Sequence, residues 1–131
     1  MNRLILVLML ACFFGLNLRT QARDRDVFVP IAKYIQEGDS DCLSAWMAEN
    51  LELNLMGAVS ECSRNQAKQI LKNFFATYRP KSFSVVHKSL SPPMTYAIAK
   101  MNAGGERFQV TIFVTTRDDG NYIQHLRIER E

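Results

Sequence analysis

An α+β fold, with helices first and an antiparallel sheet after them, is what this chain predicts. Three observations carry that reading. Segments within residues 27–78 repeat their apolar residues at helical spacing. From residue 82 onward the pattern turns to period two and stays there. The switch falls at Arg79-Pro80, a pair that stops a helix. A length of 131 residues suits one domain, expected over residues 23–131, and there is no internal repeat or low-complexity stretch.

Residues 1–22 differ in kind from the rest. Asn2 and Arg3 precede an apolar run from Leu4 to Leu16, and Thr20-Gln21-Ala22 follows. A charged start, an apolar middle and a small residue at a cut predict a secretory signal peptide cleaved after Ala22. The run falls short of the roughly 20 apolar residues that span a bilayer, so no membrane span is expected after cleavage. An uncleaved anchor and a lipid-bearing Cys12 are the alternatives. Against lipidation, Met9 stands where a lipobox prefers Leu, and Phe13, Phe14, Gly15 and Leu16 carry the apolar run past Cys12. The expected destination is the periplasm or the medium.

Charge argues in the same direction. The whole chain has net charge +3, but Arg3 and Arg19 leave with the leader, and residues 23–131 carry only +1. A nucleic-acid binder needs a strong positive field, so nucleic acid is excluded as an expected partner. The charge is uneven: residues 23–63 hold eight acids and three bases, and residues 64–131 hold eleven bases and five acids. Either the basic half meets an anionic partner or the two halves sit beside each other.

The elements follow in order. Asp26 is placed to cap a helix over Val27–Glu37, with Val27, Ile31, Tyr34 and Ile35 on one face and Pro30 confined to the first turn. Gly38 supplies a left-handed stop. Asp39 or Ser40 then caps a second helix reaching about Glu49, with Leu43, Trp46 and Met47 as its apolar face. Leu51-Glu52-Leu53-Asn54-Leu55 alternates as a short strand, Gly57 ends it, and a loop is expected after it. Ser63 and Gln66 form a capping box for a helix reaching about Tyr78. Its stripe is Ala67, Leu71, Phe74, Phe75 and Tyr78, and Arg64, Lys68 and Lys72 line its outer face. Residues 82–90, 94–102, 106–116 and 121–130 are four strands. Pro92-Pro93, Gly104-Gly105 and Asp118-Asp119-Gly120-Asn121 separate them as hairpins. Gly104-Gly105 therefore joins strand to strand. A phosphate cradle would place its glycines between a strand and a helix N-terminus, and no GxGxxG or GxxxxGK[ST] exists in the chain.

Three stretches carry a resemblance: PIAKYIQEGDSDCLSAWMAENLELNLMG, SRNQAKQILKNFFATYRPKSF, and YAIAKMNAGGERFQVTIFV with its closing IQHLRIER. Together they span nearly all of residues 28–130. The order of elements resembles the cone-shaped fold of nuclear transport factor 2-like proteins. The stretches themselves are similar to a family of small secreted bacterial proteins known as domain of unknown function 4783. The resemblance implies N-terminal helices and one long helix packed on a curved antiparallel sheet, a pocket at the open end of the cone, and dimers through the sheet. It implies no activity, because fold does not give function.

The candidate site residues fall on the expected sheet. His87 reads as sharing a face with Phe83 and Val85, and is either a pocket base or a hydrogen-bonded, half-buried His. Tyr96 shares a face with Ile98 and Lys100. It either donates to a ligand or packs with its hydroxyl at the rim. His125 reads as lying with Ile123 and Arg127, opposite Tyr122, Leu126 and Ile128, and either holds an anion with Arg127 or forms a surface pair. Acids are scarce there: the four long strands contain only Glu106 and Glu129. Cys42 and Cys62 remain after cleavage, as a disulfide or as two buried thiols. No basic cluster marks either as a nucleophile. No zinc set and no Gly-x-Ser-x-Gly elbow is present, and no cofactor is expected. The leading expectation is a non-catalytic domain that binds a small apolar ligand or an envelope protein. The alternatives are an isomerase- or hydrolase-type enzyme using the cone pocket, and a structural homodimer or assembly partner whose exposed sheet face includes Phe113.

Overall fold

The computed structural model describes residues 26–91 and 94–131. The expected leader, Cys12 and the Pro92-Pro93 break lie outside the described residues. The elements are α1 (Phe28–Glu37), α2 (Ser40–Ser44), β1 (Met47–Leu55), β2 (Ala58–Ser63), α3 (Arg64–Thr77), β3 (Pro80–Ser89), β4 (Met94–Ala103), β5 (Glu106–Arg117) and β6 (Gly120–Arg130). One sheet takes all six strands in the order β2-β1-β6-β5-β4-β3. No described helix is long and apolar enough to cross a membrane.

Local chemistry sets the helix ends. The Asp26 carboxylate accepts the Phe28 N–H at 3.0 Å, one residue before the formal cap. Gly38 adopts φ 67°, and its N–H and that of Asp39 donate to the Ile35 and Tyr34 carbonyls, closing α1 as a left-handed stop. The Ser63–Gln66 box opens α3: Ser63 Oγ accepts the Gln66 N–H, and Gln66 Oε1 accepts the Ser63 N–H. A cap of this kind is worth about 1 kcal/mol.

The stretch after α2 departs from expectation. Asp39 caps that helix through the Cys42 N–H, but it ends at Ser44 instead of continuing to Glu49. Met47 enters the sheet, because the Trp46 carbonyl accepts the Ile123 N–H at 2.6 Å and the Met47 carbonyl accepts from Arg64 Nε at 3.0 Å. The strand expected at 51–55 is therefore nine residues long. No loop follows Gly57. Met56 (φ 52°) and Gly57 (φ 88°) turn a hairpin into β2, whose first four residues are exposed and so carry no apolar alternation to announce a strand.

The four long strands pair antiparallel as expected. β1 joins β6 in parallel, which makes the six-stranded sheet mixed. All three helices bury side chains against one face. Phe28, Ile31, Ile35, Leu43, Leu71, Phe74 and Phe75 meet Leu53, Ala99, Phe108, Val110, Ile112, Ile123, Leu126 and Ile128 in one core. Alanines at 97, 99 and 103, all fully buried, let the sheet approach the helices closely. These side chains pack the space between the helices and the sheet, and an open groove of about 640 Å³ remains between α1 and β3.

Candidate functional site

The other sheet face holds the candidate residues. Register builds it rung by rung, because residues on one face of neighbouring strands stand opposite each other. Ser89 pairs with Tyr96, Tyr96 with Phe113, Phe113 with His125, His125 with Glu52, and Glu52 with Glu61. One row therefore crosses all six strands. Beside it runs a second: His87, Ile98, Thr111, Arg127, Asn54 and Val59.

Two β-bulges decide who joins this face. Val85 pairs with Ala99 but His87 with Ile98, so Val86 is an extra residue on β3. Val114 pairs with Ile123 but Phe113 with His125, so Gln124 is an extra residue on β6. A bulge reverses the side-chain phase of the residues beyond it. His87 therefore does not share a face with Phe83 and Val85, which pack against the core. Likewise His125 does not share one with Ile123, which is buried with Leu126 and Ile128. The pairings of His125 with Arg127, and of Tyr96 with Ile98 and Lys100, are as expected. With both corrections, His87, Tyr96 and His125 come together on the face turned away from the helices.

Ring centroids step from His87 in the second row to Tyr96 in the first at 5.7 Å, then along the first row at 5.9 Å (Tyr96 to Phe113) and 5.4 Å (Phe113 to His125), all tilted. These separations are within the range of favourable aromatic pairs. His87 Nε2 lies 3.3 Å from Tyr96 Oη. Glu52 Oε2 lies 3.1 Å from His125 Nδ1, with the His125 side chain 23% and that of Glu52 36% exposed. His125 Nε2 is shielded and meets no hydrogen-bond partner among the described residues. Asn50, Glu52, Glu61, Phe113, Gln124 and His125 line an open groove of about 480 Å³ over this part of the row, and Gln124 Nε2 donates to the Asn50 carbonyl at 2.9 Å.

Glu52 is the partner that sequence reasoning missed. It sits on β1, outside the four long strands where alternation makes acids legible. Its place opposite Leu51 and Leu53 is legible in the LELNL alternation. Its contact with His125 depends on the parallel pairing of β1 with β6, which no local pattern announces.

No described cluster of three His, Cys, Asp or Glu is arranged to hold a metal ion. Cys42 and Cys62 are free thiols, not joined to each other: Cys42 is exposed on α2, and Cys62 is buried on β2, where its Sγ lies 3.8 Å from the Leu51 carbonyl. Cys42 is therefore not the buried thiol of the alternative reading. The Asp39 side chain, with Asp41 and Glu37 nearby, pushes the Cys42 thiol above its ordinary range, and burial pushes Cys62 up. Exposure alone does not make a thiol reactive, since the thiolate is the nucleophile. Cys42 should therefore alkylate more slowly with iodoacetamide at neutral pH than a free cysteine, with the rate still climbing above the usual thiol range. Asp39→Asn should speed it. A neutral-pH rate at or above that of free cysteine would refute this.

The comparisons agree with the geometry. The model of a family described as a domain of unknown function, DUF4783, matches residues 28–129. A DUF4783 protein from Bacteroides uniformis superposes with TM-score 0.78 at 19% identity, over 81% of this chain and 98% of that one. Another from Bacteroides fragilis gives 0.76 at 20%, over 81% and 100%. A structure described as a putative dehydratase of the NTF2-like family, from Streptomyces avermitilis, gives 0.62 at 14%, over 79% and 89%. A sequence comparison with curated proteins finds no match. Likeness at such identities carries the fold and nothing of the activity. The match across residues 28–129, on a six-stranded mixed sheet with its helices on one face, places this chain in the DUF4783 family, with an α+β fold of the NTF2-like, cystatin-like kind.

Proposed function

We propose that this chain is a non-catalytic binding domain, that its recognition surface is the sheet face turned away from the helices, and that a second copy of the chain occupies it. The reading rests on the row Ser89–Tyr96–Phe113–His125–Glu52–Glu61, taken with His87 in the row beside it. It gathers aromatic and titratable side chains from all six strands on a face that the described helices leave open. Half-buried Tyr96, Ile98 and Phe113, with exposed Val59, supply apolar contact. Aromatic residues of this kind carry much of the energy of protein interfaces. A dimer through the sheet, which the family resemblance implies, sets two copies of this row face to face. The leader expected at residues 1–22 extends the reading to an exported protein.

Sedimentation equilibrium tests this. The expected result is a monomer–dimer equilibrium weakened about tenfold or more by Phe113→Asp with Ile98→Asp. A wild-type chain that stays monomeric at every concentration reached excludes the second copy. Native mass spectrometry then asks for a small apolar ligand, seen as an adduct lost on denaturation.

A catalytic reading has one observation on its side. His125 is oriented by Glu52 through Nδ1 and leaves Nε2 without a partner among the described residues, as a general base requires. Isomerase and hydrolase chemistry also needs an enclosed, dry site. The groove over Phe113 is open, so binding is preferred.

A further inference from the structure

A second groove lies at the opposite corner of the sheet, around the Gly104-Gly105 turn. We propose that it binds a phosphate-bearing ligand through Arg79, Lys81 and Arg107. The groove holds about 520 Å³ and is lined by those three cations with Asn102, Gly104 and Gly105, and by no acid. The volume is large for inorganic phosphate alone and points to a phosphate ester.

The three cations come from different places and are brought together by specific contacts. Arg79 follows α3, and its carbonyl accepts the Gly104 N–H at 3.1 Å, which ties the helix-to-strand corner to the turn. Lys81 is an extra residue on β3, because Pro80 pairs with Ala103 and Ser82 with Asn102. Such a bulge re-aims a side chain. Arg107 opens β5 and pairs with Asn102. The turn itself is seated, since a Cβ on Gly104 would meet Tyr78 Cα at 3.0 Å.

The neighbouring charges explain why these three remain available. Glu106 is engaged by Arg130 at 3.4 Å, and Glu131 by Lys100. Lys68 and Lys88 also have carboxylate partners. Among the described residues, neither Arg79, Lys81 nor Arg107 forms an ion pair with an acid. Helix-end electrostatics accounts for Arg79 after α3, but not for Lys81 or Arg107. Three like charges around one groove repel until an anion enters. Two guanidiniums offer forked donors matched to phosphate oxygens, and the ammonium adds a point charge. The net +6 of residues 64–131 is in part this cluster.

Two arms test the proposal, each comparing the wild-type chain with Lys81→Gln/Arg107→Gln, whose exposed positions should leave the circular dichroism spectrum unchanged. In the first, inorganic phosphate is titrated into the 15N-labelled chain at constant ionic strength, with chloride as control. Saturating amide shifts confined to Asn102, Gly104, Gly105 and their neighbours are expected, weakened about tenfold or more in the variant. In the second, flotation is measured with phosphatidylcholine vesicles with and without phosphatidic acid. Binding that requires phosphatidic acid and falls in the variant supports the proposal with a lipid headgroup as the source. Phosphate shifts without vesicle binding support it with a soluble phosphate ester. Phosphate shifts matched by chloride, or equal in wild type and variant, together with vesicle binding that the variant leaves unchanged or no vesicle binding, overturn it.

Discussion

Phe108→Ala should cost about 4 kcal/mol of folding stability, out of the roughly 5–15 kcal/mol typical of a domain. Phe108 is fully buried. Its ring stands 5.7 Å from Phe74 and 5.4 Å from Tyr78, edge-on to both, and Phe74 lies 5.0 Å from Tyr78. These three rings join the last turns of α3 to the start of β5. Removing the central ring takes away its apolar burial and leaves a cavity between a helix and a strand that pairs on both sides, so collapse cannot refill it. Urea unfolding followed through the single Trp, Trp46, and through circular dichroism measures the loss. Phe108→Leu should cost much less, because it keeps most of the volume. A loss near 1 kcal/mol for the alanine variant would mean that this joint closes over the gap, contrary to the close packing described.

Gly104→Ala should be the most damaging glycine-to-alanine change among the described residues. Gly104 has φ +57°, and a Cβ there would stand 3.0 Å from Tyr78 Cα and 3.2 Å from the Thr77 carbonyl oxygen. Neither is the end of a flexible side chain, so the turn or the helix end must move. Gly105 is the control. It has φ +80° and nothing within 4 Å, so alanine there meets only the left-handed conformational penalty of about 1–2 kcal/mol. Gly104→Ala should add about 1 kcal/mol or more to that. Equal midpoints in urea for the two variants would show that the turn is not held against α3.

The contrast between these glycines shows how far the chain could be read. That Gly104-Gly105 turns a hairpin is written in the alternation on either side of it. That Gly104, unlike Gly105, is pressed against Tyr78 is not, because β3 and β4 both lie between the two in the chain. The same division runs through the candidate site. Tyr96, with its neighbours at 98 and 100, is placed correctly by alternation alone because β4 keeps it strictly. His87 and His125 each land on the wrong face by that rule, because one extra residue, Val86 or Gln124, reverses the phase. A bulge is settled by how two strands pair, and a single strand does not display it. Glu52 escapes notice for a related reason: its partner on β6 arrives through a parallel pairing of distant segments.

Local chemistry was thus enough for the α+β class, the capped ends of α1 and α3, the left-handed stop at Gly38 and the four-stranded meander. In each case the deciding interactions lie within a few residues or within one strand period. Long-range pairing governed the early end of α2, the edge strand β2, the mixed character of the sheet and the gathering of His87, Tyr96, His125 and Glu52 on one open face. Those features depend on which backbone groups find partners far along the chain. That choice is made by burial of the whole core at once.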